Sequence, residues 1–144
     1  MHSQAMKRLM LDTCVVVEML HNAKGMDKDV KAILSDPGYV LCISFETIRE
    51  LIVLFNCGRL HSKLWKSAKD VISNVVNDIQ IEVLPLRLDI GDTYSQLQLN
   101  VEMNHYDPSD HIIISHAITE RIPLLSSDLK FPFYRSQGLE LIEY

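Results

Sequence analysis

Four acidic residues stand where a carboxylate is unusual unless it binds a metal ion. Asp12 ends the apolar run 9–11, and Asp128 follows the apolar, strand-like residues 123–126. Glu50 interrupts a nearly all-apolar helical segment, and Asp110 lies in the first turn of a second one. Carboxylate oxygens are the ligands that hard cations such as Mg²⁺ and Mn²⁺ prefer. The four residues therefore predict one acidic site with Mg²⁺ or Mn²⁺ as its cofactor.

Each of these acids also has an ordinary structural explanation. Asp12 can cap a helix after the first strand, and Asp128 belongs to a Ser-Ser-Asp sequence that suits a turn. An N-cap at Asp107, with proline at the first helical position, accounts fully for Asp107 and partly for Asp110. Glu50 shares one side of its helix with apolar residues, so it needs a partner, which a distant cation could provide. Position alone leaves both interpretations open.

The elements that must position these acids follow from the apolar pattern. Strands are predicted at residues 9–15, 39–43, 81–84, 123–126 and 139–142. Helices are predicted at residues 27–34, 45–56, 61–76, 89–101 and from 107 through 120. Ser44 is the expected cap of the helix 45–56, and Gly58 its stop.

This alternation predicts an α/β fold with a central parallel sheet flanked by helices on both faces. Ligands of such sheets bind beyond the carboxyl ends of the strands. Asp12 and Asp128 are expected at such ends, with Glu50 and Asp110 on the helices beside them. The fold class therefore gives the four acids a common location.

Length and composition limit the classes of protein. A chain of 144 residues, 47% of them apolar, predicts a single domain over residues 1–144, with residues 1–6 as a flexible N-terminus. No apolar stretch approaches the ~20 residues of a membrane span, and no signal peptide is recognisable, so a cytoplasmic protein is expected. Cys14, Cys42 and Cys57 stand in apolar contexts without C-x-x-C spacing, which predicts buried free thiols.

The charge argues against a strong non-specific nucleic-acid binder. Removing the four candidate acids from the formal charge of −5 leaves −1, so the rest of the chain is nearly neutral. Such a chain can still bind a phosphate backbone through a metal ion and local basic patches. No G-x-S-x-G surrounds Ser126 or Ser127, and the sequence has no H-E-x-x-H and no P-loop.

Four segments, in order along the chain, resemble the motifs of the PIN-domain family, and specifically its VapC-like toxin ribonucleases of type II toxin–antitoxin systems. Residues 11–15, LDTCV, resemble the opening L-D-T-N-hydrophobic motif. Residues 43–60 resemble the I-S-x-x-(S/T)-x-x-E-(L/I) helix with its closing G-K-L. Residues 105–117, HYDPSDHIIISHA, resemble H-R-D-P-F-D-R-L-L-I-A-Q-A, and residues 124–128, LLSSD, resemble L-L-T-x-D. The preserved order makes this a strong signal over nearly the whole chain.

The resemblance implies a Mg²⁺- or Mn²⁺-dependent endoribonuclease. Its metal-binding and catalytic acids match Asp12, Glu50, Asp110 and Asp128, and its supporting residues match Thr13, Ser126 and Asp107. The implied partners are an RNA substrate, a small antitoxin protein and a second copy of the chain in a homodimer. Apolar side chains within residues 45–76, including Phe55 and Trp65, favour the dimer, although they can equally belong to the core.

Three departures from the family pattern bear on activity. Cys14 replaces an asparagine whose amide helps to hold the first acid. Ser109 replaces a phenylalanine, which leaves less apolar packing at that helix start, and His111 replaces an arginine, which gives up a permanent charge near the site. None of them removes a carboxylate, so we expect activity with an altered metal affinity or rate. Two other classes stay open, a non-catalytic PIN-fold module that binds RNA or protein, and a metal-dependent DNA nuclease. Candidates to guide the RNA backbone, or simply a solvated helix face, are Arg59, Lys63, Lys66 and Lys69.

Overall fold

Five parallel strands form one sheet in the computed structural model, which describes residues 6–144. The strands are β1 (Lys7–Leu11), β2 (Tyr39–Ser44), β3 (Glu82–Leu84), β4 (Leu124–Ser126) and β5 (Leu141–Glu143). Their order is β3-β2-β1-β4-β5, and every neighbouring pair is parallel. The sheet therefore confirms the predicted α/β fold, and its strand order reverses between β1 and β4. Of the predicted flexible N-terminus, residues 1–5 lie outside the described residues.

Six α-helices connect these strands within residues 6–144. They are α1 (Thr13–Asn22), α2 (Lys28–Leu34), α3 (Phe45–Asn56), α4 (Ala68–Ser73), α5 (Leu88–Gln96) and α6 (Pro108–Glu120). A π-helical segment, Asn74–Asp78, continues α4. None of the helices in this part of the chain is long and apolar enough to cross a membrane.

Helices cover both faces of the sheet because successive strand residues point to opposite sides. Leu9 and Leu11 of β1 join a core cluster with residues of α1, α3 and α4, whereas Met10 between them joins a second cluster with residues of α6. Phe131 and Tyr134, which follow β4, complete the second cluster. Asp12, which follows the central strand β1, therefore lies between two packed layers of helices.

Side-chain caps fix where the helices begin. The hydroxyl oxygen of Ser44 accepts the backbone N–H of Glu46 at 3.2 Å, as predicted for α3. The Asp107 carboxylate accepts the backbone N–H of Ser109 at 2.9 Å, with proline in the first turn of α6. Gly58, with φ +80°, follows the end of α3 in the left-handed region that glycine adopts without strain. These predicted caps are confirmed.

Some predicted boundaries are wrong for local reasons. The first strand ends at Leu11, because the Asp12 carboxylate accepts the N–H of Thr13 and begins α1, which contains Val15. The predicted helix 61–76 is helical only from Ala68. Before it, the Ser62 hydroxyl accepts the N–H of Leu64, and the Asp70 carboxylate accepts the N–H of Lys66. Side-chain oxygens therefore take the hydrogen bonds that backbone carbonyls would accept in a helix.

Tertiary contacts shift two further boundaries. The predicted helix 89–101 ends at Gln96, because the N–H of Gln98 donates to Gln137 and the N–H of Asn100 donates to the Tyr134 hydroxyl. The last strand is Leu141–Glu143 rather than 139–142, since the N–H of Leu139 donates to the carbonyl of Tyr134. Both departures arise from the segment around Tyr134, which folds back beside β4.

Two predictions about apolar side chains need correction. All three thiols are free, as expected, but only Cys42 is buried, whereas Cys14 and Cys57 are exposed. Trp65 is 8% exposed, and Phe55 packs against the core cluster of α1, α3 and α4. These two aromatic residues therefore belong to the core and give no support to a dimer surface.

Candidate metal centre

The four predicted acids line one open cleft of about 710 Å³. Asp12 follows β1 and Asp128 follows β4, which are adjacent strands at the point where the sheet order reverses. Glu50 reaches the cleft from α3 and Asp110 from α6. Sequence and fold thus bring together the four side chains that the sequence analysis singled out. The candidate RNA-guiding residues, none of which lines this cleft, are Arg59, Lys63, Lys66 and Lys69.

Asp12 is held by three donors. Its Oδ1 accepts the backbone N–H of Thr13 at 2.8 Å, and its Oδ2 accepts the hydroxyl of Ser126 at 2.7 Å. The thiol of Cys14 donates to the same Oδ2 at 3.4 Å. The side chain is 4% exposed, and burial raises the pKa of this carboxyl, while the hydrogen bond from Ser126 opposes the rise. Cys14, at the position where the resemblance expects an asparagine, thus contributes a weak hydrogen bond to Asp12.

Glu50 is oriented by hydroxyl groups. The Thr13 hydroxyl donates to Glu50 Oε1 at 2.5 Å, and a second hydroxyl, of Thr47, lies 3.0 Å from that of Thr13. Burial raises the pKa of Glu50 to about 7, and the charges of Asp110 and Asp12 add to the rise. Thr13 therefore links α1 to the acid on α3.

Asp110, the cleft acid on α6, has a strongly raised pKa. Burial raises it to about 8, with further contributions from Asp12, Asp107 and Asp128. Its Oδ2 lies 2.8 Å from Nε2 of His105, a residue to which the sequence analysis gave no role. The available signal was the position of His105, five residues before Asp110 in a segment rich in functional residues.

Ser126 joins the two acids at the strand ends. While its hydroxyl donates to Asp12, its oxygen accepts the backbone N–H of Asp128 at 3.1 Å. The carboxylate of Asp128 accepts the backbone N–H of Lys130 at 2.9 Å, which sets the turn after β4. The fully buried Ser126 therefore bridges the acid that follows β1 and the acid that follows β4.

The donor set of the cleft fits a hard divalent cation. Within the described residues, no arginine or lysine forms an ion pair with Asp12, Glu50, Asp110 or Asp128. One ligand atom from each of His105, Asp110 and Asp128 lies within 4.8 Å of the others. Buried carboxylates without cationic partners repel one another, and a bound cation would offset that repulsion. The four acids could therefore hold Mg²⁺ or Mn²⁺.

Two departures from the family pattern have defined contacts in the structure. The hydroxyl of Ser109 donates to Glu46 at 2.5 Å and accepts from Arg49 at 2.6 Å, so polar contacts hold this helix start. His111 is buried, and its Nε2 lies 3.0 Å from the carbonyl of His105. It therefore packs beneath the cleft instead of supplying a charge to it.

Comparisons with known proteins identify the family and the fold. Residues 9–135 match the model of the PIN domain. No curated protein matches the sequence. VapBC2 from Rickettsia felis, bound to a DNA fragment from its promoter, is 21% identical with a TM-score of 0.70, covering 94% of this chain and 98% of that one. DNA-bound VapBC from Salmonella typhimurium is 20% identical with a TM-score of 0.69 over 96% and 98%. FitAcB from Neisseria gonorrhoeae is 18% identical with a TM-score of 0.66 over 94% and 96%.

Proposed function

Because the chain belongs to the PIN-domain family, we propose that it is a metal-dependent endoribonuclease and the toxin of a toxin–antitoxin pair. The observation that carries the nuclease proposal is the cleft at the ends of β1 and β4. Four carboxylates converge there without an arginine or lysine partner among the described residues. That arrangement costs folding free energy in the absence of a cation, which is expected of a site kept for function.

Each acid has a defined part in the proposed reaction. Asp12 and Asp128 hold the cation from the strand ends, and Glu50 and Asp110 complete its surroundings from α3 and α6. Bound Mg²⁺ or Mn²⁺ supplies an activated water and neutralises charge on the scissile phosphate. The Ser126 hydroxyl holds the Asp12 carboxylate in a fixed orientation, and the Thr13 hydroxyl does the same for Glu50. Those orientations align the acids before RNA binds.

The antitoxin proposal is supported by what the similar structures contain. The Rickettsia felis and Salmonella typhimurium structures are named as VapBC bound to DNA, and a Mycobacterium tuberculosis structure as a member of the VapBC family of toxin-antitoxin systems. Co-expression with the neighbouring gene and co-purification of a small partner would test this. A homodimer rests on the family resemblance alone, and a monomer by light scattering at micromolar concentration would contradict it.

A matched pair of variants on α3 tests the nuclease proposal. Glu50→Gln should nearly abolish Mn²⁺-dependent cleavage of single-stranded RNA. Glu46→Gln, one turn earlier on the same helix, should keep it, because Arg49 and Ser109 already occupy that carboxylate. Circular dichroism would verify that both variants fold. Equal activity of the two variants would contradict the assignment of Glu50.

The same assay separates the alternatives. A metal-dependent DNA nuclease would cleave matched single-stranded DNA at least as fast as RNA. A non-catalytic PIN-fold module would bind RNA or a protein without metal-dependent cleavage. Charge removal at the basic residues after α3 would test their proposed role, because loss of a phosphate contact lowers affinity uniformly across sequences.

A further inference from the structure

His105 is a buried imidazole whose two nitrogens both have partners. It is 1% exposed, with Nε2 at 2.8 Å from Asp110 Oδ2 and Nδ1 at 2.9 Å from the Tyr134 hydroxyl. Its ring lies 5.6 Å from that of Phe131 and 4.8 Å from that of His111, measured between centroids. Packing on these sides fixes the ring, so the positions of its nitrogens are determined by the core and not by the cleft.

The Tyr134 hydroxyl decides which nitrogen of His105 carries the hydrogen. This hydroxyl accepts the backbone N–H of Asn100 at 3.1 Å and has one hydrogen of its own to donate. If that hydrogen goes to Nδ1 of His105, then Asn100, Tyr134, His105 and Asp110 form a series of hydrogen bonds in which each donor has an acceptor. The neutral imidazole then carries its hydrogen on Nε2. The opposite tautomer would leave the hydroxyl hydrogen of Tyr134 without an acceptor in the described part of the chain. The satisfied arrangement therefore aims an N–H at Asp110.

We propose that His105 is a positioning residue that holds one oxygen of the Asp110 carboxylate and leaves the other for the divalent cation. The inference rests on the proposed metal-dependent function. Oδ2 of Asp110 takes the imidazole N–H, and Oδ1 accepts no hydrogen bond from residues 6–144. A carboxylate fixed in this way loses less rotational freedom when it binds a cation, so the affinity is higher.

The competing role is direct ligation by His105. One of its ring nitrogens lies within 4.8 Å of a ligand atom of each of Asp110 and Asp128, so distance alone does not exclude it. Ligation requires a lone pair on Nε2 and therefore the hydrogen on Nδ1. That tautomer would leave the hydroxyl hydrogen of Tyr134 without an acceptor among residues 6–144, which favours positioning over ligation.

Calorimetric titration of the whole chain with Mn²⁺, without RNA, tests the proposal. His105→Ala should weaken Mn²⁺ binding by about 10–100-fold, the usual effect of losing a partner that orients a ligand. His105→Gln retains an N–H donor that can reach Asp110, so its dissociation constant should stay within about threefold of the wild type. His116→Gln is the matched control, since His116 is also buried, lies on α6 and bonds Ser44 outside the cleft. It should bind Mn²⁺ like the wild type.

The outcomes distinguish this inference from the proposed function. A wild type that binds no Mn²⁺ overturns both. Normal Mn²⁺ binding by the wild type and by His105→Ala overturns the positioning role alone. Equal weakening in His105→Gln and His105→Ala identifies the imidazole as a ligand and also overturns it.

A measurement on the wild type covers the case in which the variants do not fold. In ¹⁵N-labelled protein, Nε2 of His105 should show the chemical shift of a hydrogen-bearing nitrogen, and Nδ1 that of a nitrogen with a lone pair. Addition of Mg²⁺ should leave this pattern unchanged. Its reversal on addition of Mg²⁺ would contradict the proposal.

Discussion

Asp110→Asn should stabilise the metal-free protein by an amount that grows with pH. Burial, together with the charges of Asp12, Asp107 and Asp128, raises the pKa of Asp110 to about 8, whereas its ordinary value is 3.8. Between these two values, the unfolded chain releases a proton that the folded chain keeps. The contribution of this group to stability therefore falls as pH rises through the window from about 4 to 8. Asparagine has no proton to lose, so the variant escapes this fall.

The structure sets the size of this effect. One carboxyl that is neutral in the folded state and ionised in the unfolded state changes the free energy of unfolding by at most ~1.4 kcal/mol per pH unit. From pH 6 to pH 8 the ceiling is therefore ~3 kcal/mol. Because the Asp110 side chain is 17% exposed and titrates together with its neighbours, we expect a difference of about 1–2 kcal/mol. Asparagine can keep an oxygen acceptor for the N–H of His105.

Urea denaturation at pH 6, 7 and 8 in the presence of a chelator measures this difference. Asp92→Asn is the control, because Asp92 is exposed and lies outside the cleft. Saturating Mg²⁺ should reverse the order, since the cation stabilises the protein that has the carboxylate. A difference between wild type and Asp110→Asn that is constant from pH 6 to pH 8 would refute the argument from buried repulsion.

Three other perturbations separate stability from metal binding. Asp107→Ala removes the N-cap bond to Ser109 and should lower the free energy of unfolding by about 0.5–2 kcal/mol, measured in urea, while RNA cleavage largely persists. Ser126→Ala removes the bridge between Asp12 and Asp128 and should cost about 1–3 kcal/mol and weaken Mn²⁺ binding in calorimetry. Mn²⁺ at about 100 times its dissociation constant should stabilise the wild type by ~2.7 kcal/mol, and an unchanged melting temperature would count against the site.

The sequence predicted the elements that have local signals. Ser44 and Asp107 are recognisable N-caps, and short apolar runs mark the strands. The sheet and the positions of the four acids in the fold could therefore be inferred. The boundaries at residues 61–67 and 97–100 could not, because side chains distant in sequence or in the next turn take the backbone bonds that a helix would use. Those partners become known only when the chain is folded.

His105 shows why part of the candidate site was missed. Nothing in its sequence neighbourhood specifies that Tyr134, 29 residues later, supplies the hydroxyl that sets its tautomer. The segment containing Tyr134 lies between the predicted strands 123–126 and 139–142, and its short helical turn, Pro132–Gln137, places the ring beneath the cleft. A functional assignment based on charge alone also overlooks a neutral group that acts through an acid.

The two acids on α3 show what distinguishes a site from a structural ion pair. Glu46 and Glu50 are four residues apart and therefore face the same side of the helix. Glu46 is the more deeply buried, at 3% exposed, yet Arg49 and Ser109 neutralise and hold it. Among residues 6–144, Glu50 receives a hydrogen bond from the Thr13 hydroxyl alone, and burial raises its pKa to about 7. Burial alone would select Glu46, whereas the absence of a cationic partner within residues 6–144 favours Glu50 as the proposed metal ligand, because an acid already neutralised by arginine gains less from a metal ion.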